Sequence, residues 1–280
     1  MNAAAGRIAG KTLPLAAMAV AGALAFFPPA VGQTRKSIPP KDPANPLSEL
    51  ISGYEFAALD IRALQDDDFD NPGFAWVSRG EALWSRPEGQ AGKSCASCHG
   101  TASESMRGKA VDYPKFNPGA AAIINLEQRI DLCRRDNMRA SPWTYGSDEM
   151  LSMSAYLRLQ SRGLPMSVRI TREAQPVFER GKTLYNTRRG ALGISCALCH
   201  DKHYGKTFSG KVMSQGQSNG FPTYHRDLQQ FLPLHTQFSN CRRRMKAEPA
   251  EAGSQDYIAL ELYLAWRGAG LPMEAPSVRR

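Results

Sequence analysis

The pentapeptide Cys95-Ala-Ser-Cys98-His99 returns later in the chain as Cys196-Ala-Leu-Cys199-His200. Cys-x-x-Cys-His is the attachment signature of c-type haem. Two thiols three residues apart add across the two vinyl groups of the macrocycle, and the adjacent imidazole reaches the iron as proximal ligand. A zinc knuckle would want four ligands per cluster, and a thioredoxin-like redox pair has no use for the trailing histidine. Two copies in one chain therefore predict two covalent haem c groups, bound by Cys95, Cys98, Cys196 and Cys199, with His99 and His200 on the irons.

The motifs sit inside an internal repeat. Arg79-Gly80-x-x-Leu83-Trp84 precedes the first motif as Arg180-Gly181-x-x-Leu184-Tyr185 precedes the second, and each glycine stands 15 residues before its first cysteine. Tyr156-Leu157 with Gly163-Leu164-Pro165-Met166 is echoed by Tyr263-Leu264 with Gly270-Leu271-Pro272-Met273. This pattern predicts a mainly α fold of tandem duplicated cytochrome c-like domains, each built around a haem that supplies much of its apolar core. Residues 51–166 form the first domain and 167–280 the second, with the junction near Gly163 to Thr171. Leu47, Leu50, Ile51, Tyr54, Ala58 and Ile61 fall at helical spacing, as do Tyr257, Leu260 and Leu264 beside Ile258 and Leu262. Residues 33–50, rich in proline, read as an extended N-terminal tail.

Residues 1–32 carry the pattern of a secretory signal: Arg7 and Lys11, an apolar run from Leu13 to Phe27, then small residues before Gln33. Such a chain is exported and periplasmic, and haem is attached after export. An uncleaved anchor is the alternative, but no stop-transfer cluster follows. Without these residues 33 Lys and Arg face 26 Asp and Glu, a net charge of +7. Nucleic acid is excluded as a partner by compartment, which leaves anionic small molecules or an acidic protein.

Haem thioethers use four of the six cysteines. Cys133 and Cys241 remain, one per repeat, 34 residues after His99 and 41 after His200. They occupy comparable places, where many c-type cytochromes present a distal methionine, and arginines follow each. A thiolate ligand stabilises ferric iron and lowers the reduction potential, and adjacent cations would lower the thiol pKa. A Cys133–Cys241 disulfide, or ligation by Met138, Met213 or Met245, are the other readings of these residues. His203, His225 and His235 read as core or surface residues.

Gln65-x-Asp67-x-x-x-Asn71-Pro72-Gly73, the Val77 to Trp84 block, Phe238-Ser-Asn-Cys241-Arg with Glu248-Pro249, and Tyr263 to Pro272 together resemble the SoxA family, the larger subunit of the SoxAX cytochrome of thiosulfate oxidation. The resemblance covers nearly all of the mature chain. It implies an L-cysteine S-thiosulfotransferase, which joins thiosulfate oxidatively to a cysteine of the SoxYZ carrier and passes electrons to c-type haem. It further implies a heterodimer with SoxX, a small monohaem cytochrome, and an active site where the two subunits meet. Cys133 would be the distal ligand of haem 1. Cys241 would be both the distal ligand of haem 2 and the catalytic residue, found as a persulfide in the family.

Thiosulfate is a dianion, so its site needs cations, and arginine suits tetrahedral oxyanions. Arg242, Arg243, Arg244 and Lys246 flank Cys241; Arg244 and Arg267 are the two candidates for substrate binding. One departure stands out. The family commonly has an arginine four residues before the catalytic cysteine, where this chain has Gln237. A thiosulfate dehydrogenase making tetrathionate, or a plain electron carrier, are the competing functions.

Overall fold

The computed structural model describes residues 1–2, 36–208 and 210–280. Apart from Met1 and Asn2, the export signal expected over residues 1–32 lies outside the described residues. No helix among the described residues is long and apolar enough to cross a membrane.

The chain runs through α1 (Leu59–Asp66), α2 (Phe74–Ser85), α3 (Cys95–His99), α4 (Ala102–Ser105), β1 (Lys115–Asn117), β2 (Ala122–Ile124), α5 (Leu126–Cys133) and α6 (Asp148–Leu159). It then repeats the order with α7 (Gln175–Asn186), α8 (Cys196–His200), β3 (Thr207–Phe208), β4 (Lys211–Val212), β5 (Thr223–His225), β6 (Gln230–Leu232), α9 (Leu234–Arg244), α10 (Gln255–Arg267) and β7 (Ser277–Arg279). The fold is mainly helical, with strands of two or three residues only. Each half holds a long helix, a haem-motif turn, a hairpin, a helix bearing the leftover cysteine, and a closing helix.

Two glycines set the helix packing. A Cβ on Gly80 would lie 2.2 Å from the Ser152 carbonyl oxygen of α6, and one on Gly181 would lie 2.0 Å from the Ala259 carbonyl oxygen of α10. Without side chains there, α2 and α7 approach the closing helix of their own half backbone to backbone. The equivalence of Gly80 and Gly181 seen in the sequence is thus a repeated helix crossing. Helix α10 is buried on every side, with Tyr257, Ile258, Ala259 and Leu262 all at 0% exposure. That explains why its apolar pattern wraps around the helix instead of forming one stripe.

The halves are not separately packed. Residues 35–280 make one compact unit. Ala265 and Met273 of the second half join the core of the first, while Ile123 of the first joins the core of the second.

Of the helix expected from Leu47 to Ile61, only a 3-10 turn at Gly53–Phe56 and the first residues of α1 form. Ahead of it the chain is a strap: Ile38 and Leu50 exchange backbone hydrogen bonds at 3.0 and 2.8 Å, and Ile51 N–H donates to Gln215 Oε1 at 2.8 Å. Leu47 and Leu50 are buried because the strap lies on Leu271, not because a helix turns them inward. The proline-rich segment is likewise no free tail. Asn45 Nδ2 donates to the Arg267 carbonyl and Trp266 Nε1 to Asp42, which ties the segment to the end of α10.

Candidate functional site

Both haem motifs form a single helical turn, and serine starts each one. Ser94 Oγ accepts from Ser97 N–H and Ser195 Oγ from Leu198 N–H, satisfying amides that the turn leaves free. One turn places the two cysteines of each motif on the same face. The residue after each histidine is pinned from the long helix: Trp84 Nε1 donates to the Gly100 carbonyl, and Tyr185 Oη donates to Asp201 Oδ1 at 2.8 Å.

The thiol-bearing helices meet these turns. The Cys133 thiol lies close enough to raise the pKa of Cys95, and the Cys241 thiol that of Cys196. Cys98 and Cys199 also act on Cys133 and Cys241 respectively. Each half therefore gathers three thiols: two that can attach a macrocycle and a third aimed at the same space. All six cysteines are free, so no Cys133–Cys241 bridge is present. Burial pushes the Cys95 thiol up to about 11 and the Cys196 thiol to about 12, and the two residues pack against the apolar cores of the first and second halves, a lining an apolar macrocycle fits.

The loops ahead of the motifs latch onto the far ends of those helices. Ala91 N–H donates to the Met138 carbonyl and Leu192 N–H to the Met245 carbonyl. A Cβ on Gly89 or Gly190 would come within 2.2 Å of the same carbonyl oxygens. Met138 and Met245 are buried behind the thiol helices.

The histidines of the two motifs differ. His200 Nδ1 lies 2.8 Å from the Ser214 carbonyl, which can only accept, so Nδ1 carries the proton and Nε2 is left free for a metal. Gly216 (φ +70°) closes over the ring; a Cβ there would lie 2.8 Å from Cγ and 2.9 Å from Nδ1. His99 is exposed and, among the described residues, has no hydrogen-bond partner; its ring lies 5.8 Å from that of Trp84. Ser214 and Gly216 belong to the stretch that lengthens the second half's spacing from 34 to 41 residues. The longer spacing was visible in the sequence, and what the extra residues do is cover His200.

Around Cys241 the sequence expectations divide. Gln237 Nε2 donates to Cys241 Sγ at 3.4 Å, so the position where the family carries arginine does face the thiol. Arg244, Arg243 and Lys246 are exposed at the end of α9. The expectation that flanking cations lower the thiol pKa is corrected: burial raises the Cys241 thiol, and Arg244 and the Gln237 hydrogen bond offset only part of it. Burial likewise raises Cys133, with Arg129 as the opposing cation. Arg134, adjacent to Cys133, is instead bonded to Glu88 at 2.6 Å and lies over the Trp143 ring at 3.7 Å.

Arg267 is not at the thiol. Its side chain is fully buried, donates to the carbonyls of Gln215 and His200, and pairs with Asp201. It braces the His200 turn, and every one of these contacts competes with binding a dianion. Sequence reading placed it in the substrate pocket because a cation near the C-terminal motif looked available; its burial depends on Asp201, to which nothing in the spacing pointed.

A duplicated helical scaffold with two such turns, a low-polarity lining and a third thiol opposite each defines a c-type cytochrome, a protein that binds haem c covalently. The family model described as the SoxA/TsdA cytochrome c domain matches residues 79–166 and 180–273. The L-cysteine S-thiosulfotransferase subunit SoxA of Pseudaminobacter salicylatoxidans is 41% identical over 84% of this chain and 83% of its own. The subunit of the same name from Paracoccus pantotrophus is 39% identical over 87% of this chain and 84% of its own. The crystal structure of SoxXA from P. pantotrophus superposes with a TM-score of 0.84 at 39% identity, covering 88% of this chain and 93% of that one. The chain belongs to the SoxA family.

Proposed function

We propose that this chain binds two haem c groups and, as the SoxA subunit of a thiosulfate-oxidising cytochrome, conjugates thiosulfate to a cysteine of a carrier protein. Cys95 and Cys98 hold the first haem, and Cys196 and Cys199 the second. His99 with Cys133 and His200 with Cys241 are the axial pairs. The repeats 51–166 and 167–280 are the two haem domains. The reading rests most on one observation: the half-buried Cys241 thiol converges with Cys196 and Cys199 while Gln237 and a cationic rim flank it.

The reaction joins two sulfurs. A carrier thiol and thiosulfate give the carrier S-thiosulfonate, one proton and two electrons, so an electron acceptor must lie at the site; haem c, when bound, supplies it. Arg244 and the exposed cations beside it hold the sulfonate oxygens, and Gln237 donates a hydrogen bond where the sulfane sulfur meets Cys241. By analogy with SoxXA, the partner is a small SoxX-like monohaem cytochrome in a heterodimer, and the family resemblance makes the carrier SoxYZ-like. The protein is exported and works in the periplasm.

Peptide-resolved mass spectrometry before and after exposure to thiosulfate tests this. Haem on both Cys-x-x-Cys-His peptides, added sulfur or thiosulfate on Cys241, and a carrier S-thiosulfonate that vanishes in Cys241→Ala are expected. Tetrathionate formed without any carrier would make the chain a thiosulfate dehydrogenase. Cys241 and carrier both unmodified would make it an electron carrier.

A further inference from the structure

Between the two halves lies a buried polar cluster to which the proposed chemistry assigns no role. Glu127 of α5, Arg158 near the end of α6, His235 of α9 and Glu261 of α10 are each less than 8% exposed. Arg158 Nη2 stands 3.4 Å from Glu127 Oε1 and 3.7 Å from Glu261 Oε1. Ser154 Oγ donates to Glu127 Oε1 at 2.7 Å, and Asn125 Nδ2 donates to Glu261 Oε2 at 2.9 Å and to Tyr145 Oη at 2.6 Å. His235 Nδ1 accepts from Gly253 N–H at 3.0 Å, so its proton sits on Nε2, which donates to Glu261 Oε2 at 3.1 Å. His235 is thus neutral, and two acidic side chains face one guanidinium.

The arrangement follows the repeat. Glu127 lies six residues before Cys133 on α5, and His235 six residues before Cys241 on α9. Ser154 and Glu261 each stand two residues before the repeated Tyr-Leu of the closing helices. Glu127–Ser154 and His235–Glu261 are therefore the same contact in the two halves with different residues, and Arg158 reaches both. Six residues of helix rise about 9 Å, so the cluster stands at a similar remove from each distal thiol along its own helix. Glu127 Oε2 and Arg158 Nε have no partner among the described residues. Both residues line a cavity of about 10 Å³, room for one water that would complete the network.

We propose that Glu127, Arg158, Glu261 and His235 form one charge node shared by the two halves, which positions both thiol-bearing helices and sets the reduction potentials of both haems together. The proposal rests on the two-haem, thiolate-ligated reading above. A buried charge acts through a lower effective dielectric than a surface charge at the same distance, which salt screens. Burial works against the Glu261 carboxylate, but its interaction with His235, the Arg158 charge and the Asn125 hydrogen bond hold its pKa below the ordinary value.

The test is redox titration of the holoprotein, each haem followed through its thiolate-ligated ferric resonance and assigned with Cys133→Ala. Removing a negative charge in Glu261→Gln raises both midpoints, and removing the positive charge in Arg158→Met lowers both. Arg158→Lys, which keeps the charge, stays near wild type. A purely structural role predicts lowered melting temperature with no such sign reversal. Should Arg158→Met fail to fold, Glu127→Gln gives a second upward shift at both haems. A shift confined to one haem, or of the same sign in Glu261→Gln and Arg158→Met, overturns the shared node while leaving the ligation intact. A wild type without two thiolate-ligated resonances overturns the ligation itself.

Discussion

Gly216→Ala separates the clamp on His200 from ordinary loop strain. Gly216 has φ +70°, and an alanine in the left-handed region costs about 1–2 kcal/mol. The new Cβ would also stand 2.8 Å from the imidazole, whereas ordinary contact begins at 3.4 Å, so the ring must withdraw by about 0.6 Å. Overpacking of this kind costs about 1–3 kcal/mol more. The ring has little freedom to absorb the shift, because Nδ1 is bonded to the Ser214 carbonyl and Arg267 holds the His200 carbonyl from behind.

Gly193 is the matched control. It has φ +57°, and a Cβ added there would meet nothing within 4 Å, so Gly193→Ala carries the backbone strain alone. At about 2–4 °C per kcal/mol for a chain of this size, Gly216→Ala lowers the melting temperature by about 4–20 °C and Gly193→Ala by about 2–8 °C. Calorimetry of the two holoproteins reads the first difference. Resonance Raman of the iron–histidine mode, or the ferric resonance of the half-two haem, reads the second, and changes only in Gly216→Ala. Equal melting shifts with an unchanged half-two signal in both variants would refute the clamp.

At Gln237, replacement by arginine keeps a donor toward Cys241 and adds charge, so Gln237→Arg preserves or improves thiosulfate turnover. Gln237→Leu removes the donor and lowers kcat/KM about tenfold, the scale of one hydrogen bond to a charged group; a large loss in Gln237→Arg would place this residue outside the anion site. Glu261 has its folded pKa below the ordinary value of 4.5, because hydrogen bonds and Arg158 outweigh its burial. Its stabilisation is present above about pH 4.5 and is lost as pH falls through the lower folded pKa. Urea midpoints measured through the acid range should therefore fall less steeply in Glu261→Gln than in wild type, and parallel curves would contradict the assignment.

The duplication, the haem turns and the buried closing helix were legible because each has a short-range signature: fixed spacing, repeated glycines, apolar periodicity. Glu261 was also on view as a lone carboxylate within the apolar run from Tyr257 to Trp266, yet nothing local says that its partners are His235 and Arg158, both distant in the chain. The same limit applied to Arg267 and to the strap. A one-dimensional pattern marks Leu47, Leu50 and Ile51 as apolar at helical intervals, and only the docking surface at Leu271 decides that extended chain satisfies them. Charge was the least legible property, since whether an arginine is spent or available depends on which carboxylate folds against it.

The arginines beside the two leftover thiols differ in the same way. Beside Cys133, Arg134 is taken up by Glu88, Ser141 and Trp143, and Arg135 by Asp136. Beside Cys241, no carboxylate among the described residues pairs with Arg242, Arg243, Arg244 or Lys246, and the last three are exposed. The scaffold offers the same helix, the same turn and the same latch in both halves. A dianionic substrate does choose, because it binds where cations remain uncommitted. Glu88 and Asp136 thus commit Arg134 and Arg135 in the first half, where Arg129 is the cation that acts on Cys133. The second half also sets Ser214 and Gly216 against His200, a clamp that His99 lacks among the described residues.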